Sequence, residues 1–470
     1  MLIFKCFGPQ DIGRRTTPKQ AFPCPIDPDA TARIFSGCDD FMSRRIAVGG
    51  TETILTACWL DGTVSGGDVA EQVLRPLTDP IRFGGVATAA EAAALLDRGA
   101  VYGFDMKRAE TMDDLAAGIT GGCCALVLDG TAFLYQLRTD QRRSVQEPKI
   151  EKSVKGAKDA FVETLRVNTA LVRGRLRTPR LKLRQTVIGR QSRTDAAVLW
   201  LEGAAPPTLP GEILRRLDGL DTEGLILPDV LDTALSDEPR SPFPQLMHTE
   251  RPDKLAKALL EGRVGVLADG IPVAFIGPAP LGAFMETNED RAQHRLPAAA
   301  IRLLRWAGLF LTLLLPALYV AVAMFHAEMI PLQLLQSVIR SKQAVPFSTP
   351  AEILGMLIAF ELLQEAGLRL PDPVGQTVSI ICALIVGQSA VEARVISPIA
   401  VIVVAFAGIA GYTCPSQDLG AALRLARFGL TLAAALAGMF GLAAGLMLLL
   451  WHLASLESCG EPYLTAGRRE

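Results

Sequence analysis

Glu361 and Glu365 stand four residues apart in an otherwise apolar stretch, so on a helix their carboxylates share one face. A second polar set, Gln376, Gln388, Ser389, Glu392 and Arg394, surrounds another short apolar stretch. Such groups are costly in hydrocarbon and face a bundle interior or water. In a ring of identical chains one such face repeats around a lumen, and rings of carboxylates or amides conduct and select ions. Gln388, Glu392, Glu361 and Glu365 are therefore candidate pore residues. Val391 is the candidate constriction, because rings of apolar side chains gate by dewetting. The plainer alternative puts Glu392 and Arg394 at a helix end near headgroups. Gly441 and Gly445 form a GxxxG step, extended backwards by Gly438 and Ala434, which lets helix backbones approach closely, within one chain or between chains.

No constellation for catalysis accompanies these groups. The chain has no GxxxxGK[ST] phosphate loop, no GxSxG elbow, no HExxH, and no GxGxxG between a strand and a helix. The four histidines (His248, His294, His326, His452) have no spaced carboxylate or cysteine partners and read as structural or interfacial. Nine scattered cysteines without a CxxC pair indicate neither a disulfide framework nor a zinc site. No enzyme activity, metal or cofactor is expected.

The elements that must position the polar sets belong to a membrane. Half of the 470 residues are apolar, 20% are charged, and the mean hydropathy is +0.30, too apolar for an ordinary soluble chain. The 47 basic and 49 acidic residues nearly cancel, which disfavours bulk nucleic-acid binding. Only ten of each sign fall in residues 301–470, so the solvent changes near residue 300. Trp306 to Phe325 is long enough to span about 30 Å of hydrocarbon, with Pro316 as an internal kink. Ile396 to Tyr412 and Phe428 to Ala454 read as further spans, while Ile353 to Leu363 and Val378 to Gly387 are short. The expectation is an all-α bundle of four or five spans, with the side of the C-terminus open. Arg291, Arg295, Arg302 and Arg305 precede the first span, and Arg424 and Arg427 the last, which places both flanks on the cytoplasmic side. Between the first spans, residues 328–340 read as an interfacial amphipathic helix or a loop helix packed on the bundle.

The first 300 residues mix helix and strand, and the front of the chain lacks a signal-peptide core and is expected to stay cytoplasmic. Ala125 to Leu128, then Asp129-Gly130, then Thr131 to Tyr135 predicts a hairpin, since Asp-Gly accepts the positive φ of a two-residue turn. Val264 to Ala268, Asp269-Gly270 and Ile271 to Ile276 repeat the design. A helical stretch precedes each, Thr111 to Ile119 and Asp253 to Glu261. This predicts a weak internal repeat of two small α/β lobes, hence an α+β region ahead of the helices. The expected division is an N-terminal extension (1–44), a first lobe (45–145), a linking helix with a second lobe (146–300) and the membrane domain (301–470). Phe161 to Arg177 has helical spacing. Nine basic residues lie between Arg166 and Arg193, without the interleaved aromatics of a nucleic-acid platform, and read as a solvated or partner-facing surface.

Several strings carry a resemblance: Pro316-Ala317-Leu318-Tyr319, Phe325-His326-Ala327-Glu328-Met329-Ile330-Pro331, Phe360-Glu361-Leu362-Leu363-Gln364-Glu365-Ala366-Gly367 and Val386-Gly387-Gln388-Ser389-Ala390-Val391-Glu392-Ala393. With Glu147-Pro148, Pro242-Phe243-Pro244, Thr249-Glu250-Arg251-Pro252-Asp253 and Leu260-Glu261-Gly262-Arg263 in order before them, the chain resembles the A subunit of GerA-type spore germinant receptors from about residue 45 to 465. It departs from that pattern at Lys155-Gly156-Ala157, at Gln364-Glu365, and after Glu289-Asp290, where a tyrosine pair is missing. The resemblance implies an integral protein of the spore inner membrane with a cytoplasmic N-terminal domain. It implies partnership with a transporter-like B subunit and a lipoprotein C subunit, and a homo-oligomeric ring acting as a nutrient-gated ion channel. The alternative is a non-conducting scaffold that relays the signal to partners.

Overall fold

The structure, a computed structural model, describes residues 22, 24–101, 105–128, 130–138, 148, 151, 156–287, 289–290, 293–343, 345–369 and 387–465. Two five-stranded antiparallel sheets precede a group of long helices. The first holds β1 (Phe41–Ala47), β2 (Ile54–Leu60), β3 (Met106–Ala109), β4 (Cys123–Leu128) and β5 (Thr131–Gln136) in the order β1-β2-β4-β5-β3. The second holds β6 (Leu181–Ile188), β7 (Thr194–Leu201), β8 (Met247–Thr249), β9 (Val264–Ala268) and β10 (Ile271–Gly277) in the order β6-β7-β9-β10-β8. Counted along the chain, both sheets run first, second, fourth, fifth, third. The internal repeat expected from the two Asp-Gly hairpins is thus a shared connectivity.

Local chemistry accounts for the repeated unit. In each lobe the fourth and fifth strands pair across the Asp-Gly turn, Leu128 opposite Thr131 and Ala268 opposite Ile271. Gly130 and Gly270 take φ of +82° and +79° there, values a Cβ would resist. A helix leads into each fourth strand: Met112–Thr120, closed at its start by a reciprocal Thr111/Asp114 capping box, and Pro252–Leu260, with proline in its first turn. The linking helix, Leu165–Arg175, lies between the lobes.

Beyond residue 293 the long elements are helices Arg295–Phe325, Leu332–Lys342, Thr349–Arg369, Pro398–Gly411 and Gln417–Ser455. Two of these, 295–325 and 417–455, are long and apolar enough to cross a membrane. Helix 398–411, expected as a clear span, has 14 residues and reaches only about 21 Å. Most of the expected segment Val378 to Gly387 lies outside the described residues.

The final span differs from its expectation in kind. At Ala437 and Gly438 the helix breaks, with Gly438 at φ +61° and ψ −137°, backbone that favours glycine. The chain then doubles back: a Cβ on Gly445 would touch Leu430 and Ala433, residues that a straight helix would hold about 18 Å or more away. Both ends of the element reach the second lobe, Asp418 at His248 and His452 at Ser241. Phe428 to Ala454 is therefore the bend of a helical hairpin with limbs 417–436 and 439–455, about 30 and 25 Å long. Its tip meets Phe325, the far end of helix 295–325. The segment after the hairpin returns to the second lobe, where Tyr463 is fully buried.

Candidate functional site

Three polar assemblies organise the molecule, at the lobe seam, inside the helices, and where helices meet the second lobe. At the seam, Arg173 of the linking helix is 1% exposed and grips Asp40 through two hydrogen bonds of 2.8 Å, donating a third of 2.7 Å to the carbonyl of Leu181. Beside it the backbone of Gly37 to Asp39 pairs with Leu183 on the edge of the second sheet. Arg166 reaches Asp61 and Arg184 reaches Asp39, both in the first lobe, while Lys182 donates to the carbonyl of Ile34. Of the basic run expected as a solvated or partner-facing surface, Arg166, Arg173, Lys182 and Arg184 are thus spent on joining the lobes, while Arg175, Arg180 and Arg190 bond within the second lobe and its linking segment. A cleft of about 570 Å³ opens beside this seam, between Gly62, Gly121 and Gly122 on one side and Arg175 and Arg177 on the other.

Among the helices, charged groups meet in two places. Far from the lobes, the wholly buried side chain of Glu352 accepts from the backbone N–H and hydroxyl of Ser397, at 3.1 and 2.7 Å, and lies 3.8 Å from the ammonium of Lys342. Nearer the lobes, Glu361 receives Arg427 at 2.7 Å and lies 3.3 Å from Arg424. Arg427 was read as a flank of the last span, yet it is 1% exposed, inside the helix group. Arg427 is buried and Glu361 partly so, and desolvation offsets much of the attraction in such a pair. Arg424 and Arg427 share a helix face by their spacing, which was the available signal; their partner 66 residues upstream in the Arg427 case carried none.

The other sequence-derived residues fall as follows. Glu365 is exposed on the same helix as Glu361. Residues 387–392 are helical; Gln388 and Glu392 are exposed, four apart, and Val391 is half-buried. Gln376 lies outside the described residues. Gly441 and Gly445 face residues 430–433 of the preceding limb, inside this chain, while Gly438 makes the turn. Among the described residues no group of three or more His, Cys, Asp or Glu could hold a metal ion.

At the junction with the second lobe, His248 on β8 lies between two carboxylates, 3.1 Å from Asp418 and 3.2 Å from Asp232. These aspartates outweigh its burial and raise its pKa to about 9. Arg305 at the base of helix 295–325 pairs with Asp290 at 2.5 Å and donates to the Met285 carbonyl. Sequence spacing concealed these partners, which lie on separate elements.

Comparison with known proteins follows this geometry across both halves. Residues 29–467 match the family described as Bacillus/Clostridium GerA spore germination protein. The chain is 36% identical over 435 residues to the uncharacterized membrane protein YfkQ of Bacillus subtilis (strain 168), covering 91% of this chain and 83% of YfkQ. It is 33% identical to spore germination protein B1 of the same organism, covering 91% of this chain and 88% of that protein. A more distant likeness, with 24% identity and a TM-score of 0.41 over 53% of this chain and 92% of the other, is to the crystal structure of the N-terminal domain of the A subunit of the Bacillus megaterium spore germinant receptor GerK3. With both lobes and the long helices inside one continuous match, the chain belongs to the GerA family of spore germination proteins.

Proposed function

We propose that this chain is the A subunit of a nutrient receptor in the spore inner membrane, with its lobes cytoplasmic and its helices embedded. It acts with a transporter-like B subunit and a lipoprotein C subunit, and several copies form a ring that conducts ions when nutrient binds. The observation that carries this reading is the family match, which spans lobes and helices alike. Return of the chain to the second lobe supports a C-terminus on the lobe side.

The pore assignment rests on residues 388–392. Gln388 and Glu392 present one exposed helical face, and half-buried Val391 stands beside it as the dewetting constriction. Glu365 is exposed and joins the polar lining; Glu361, engaged by Arg427, sets the helix that carries it. Nutrient moves the gate only through its different affinity for the closed and open states, about 5.5 kcal/mol for a switch from 1:99 to 99:1.

Ion efflux from vesicles holding this chain with co-expressed partner subunits, recorded with and without amino acids and sugars, tests the reading. Efflux that follows one nutrient and becomes constitutive in Val391→Ala supports the channel and its gate. Absence of efflux from a folded, oligomeric sample transfers the assignment to the non-conducting scaffold.

A further inference from the structure

The segment from Ser241 to Thr249 in the second lobe touches both ends of the helical hairpin. Ser241 lies 3.0 Å from His452 at the hairpin's end, and His248 lies 3.1 Å from Asp418 at its start. His248 is also tied inward. Its ring meets Phe275 edge-on at 4.9 Å between centroids, opposite it in the β8–β10 ladder, and Phe275 is fully buried in the core on the sheet face turned away from the helices. Asp232 sits on helix Pro228–Leu235, whose Leu231 and Leu235 belong to that same core. We propose that His248 is the coupling joint between the second lobe and the last helical hairpin, held by one aspartate from each side, so that displacement of the hairpin's start is felt across the sheet.

The joint depends on charge. Among the described residues, Asp232 and Asp418 are the charged groups paired with the imidazole, and Phe275 meets its ring edge-on. Protonated, His248 hydrogen-bonds Asp418 and forms an ion pair with Asp232 at 3.2 Å; neutral, it leaves two aspartates facing each other across an uncharged ring. Its pKa is raised to about 9, so the coupling is fully present below the ordinary histidine value of about 6.5 and is lost as pH rises through about 9. This inference goes beyond conduction and holds whether or not the helices form a pore.

Hydrogen exchange on the full chain in detergent, corrected for intrinsic rates, reads the joint directly. Between pH 6.5 and 9.5, opening of peptides covering 417–425 and β8 rises on the order of a hundredfold in the wild type. In His248→Gln these peptides open readily at pH 6.5 and show no such slope, and Asp418→Asn reduces the slope. Ser458→Ala, which cuts a hydrogen bond to the Gln245 carbonyl near the hairpin's other end, leaves the slope intact. A contact that merely packs would lose protection without changing the slope. A pH-independent wild type, or an unchanged slope in His248→Gln, overturns the proposal; if that variant does not fold, the wild-type slope and Asp418→Asn decide.

Discussion

The two lobes share one strand order and live in different surroundings. The first buries both faces of its sheet within itself: Trp59, Phe83, Leu96 and Phe133 on one side, Phe35, Leu115, Ile119 and Leu134 on the other. In the second, one face closes on its own helices through Ile213, Leu231 and Phe275. The other runs without interruption from Leu183, Leu199 and Leu267 into Leu313, Leu430 and Tyr463 of the helical half. One connectivity thus serves once as a self-contained unit and once as a base for helices. Connectivity is set by local hairpin and crossover chemistry, whereas the neighbourhood is set by which face keeps a continuous apolar surface.

If that contrast is right, damage at the seam should be the most severe. Asp40→Ala strands a buried guanidinium and is expected to cost about 3–5 kcal/mol, while replacing Asp40 and Arg173 together by apolar residues of similar volume should come near neutrality. Denaturant unfolding with exchange read separately in each lobe checks this, and equal losses for single and double variants would show that the charge pair is not the connector. Gly438→Ala comes next, at about 2–3 kcal/mol, because its Cβ would meet Phe325 at 2.8 Å in a backbone region that alanine resists. Its exchange signature should appear in the hairpin and the second lobe and spare the first; equal softening of both lobes would break the comparison.

Gly118→Ala provides the mirror case, expected at about 1 kcal/mol. Its Cβ would press on Leu134 of β5 at 2.4 Å, while alanine's better helix propensity returns part of the cost. The loss should stay inside the first lobe. Smallest of all is Arg190→Ala, which removes an exposed pair with Asp221 on the second lobe and should change stability by about 0.5 kcal/mol or less in thermal unfolding. A larger effect would mean that this edge is tied to the base more tightly than its exposure implies.

What could be read beforehand was local. Asp-Gly turns between alternating strands, helical spacing before them, and the apolar run of helix 295–325 each report on contiguous residues. What escaped joins distant positions: Asp40 with Arg173, Glu361 with Arg427, Asp232 with Asp418 through His248. The bend at Gly438 was present in the residues, but a glycine among small residues in an apolar run serves equally for close packing and for a turn. The structure takes the turn, with Gly438 at φ +61° and ψ −137° and Phe325 2.8 Å from where a Cβ would stand.

The docking of Tyr463 orders events during synthesis. Its backbone carbonyl accepts from Leu281, its ring lies 6.2 Å from that of Phe284, and it is wholly enclosed in the second lobe, yet it emerges from the ribosome after the entire hairpin. The lobe therefore completes its core only once limb 439–455 has carried the chain back. A nascent chain whose hairpin has not yet folded back thus leaves the place of Tyr463 in the core empty.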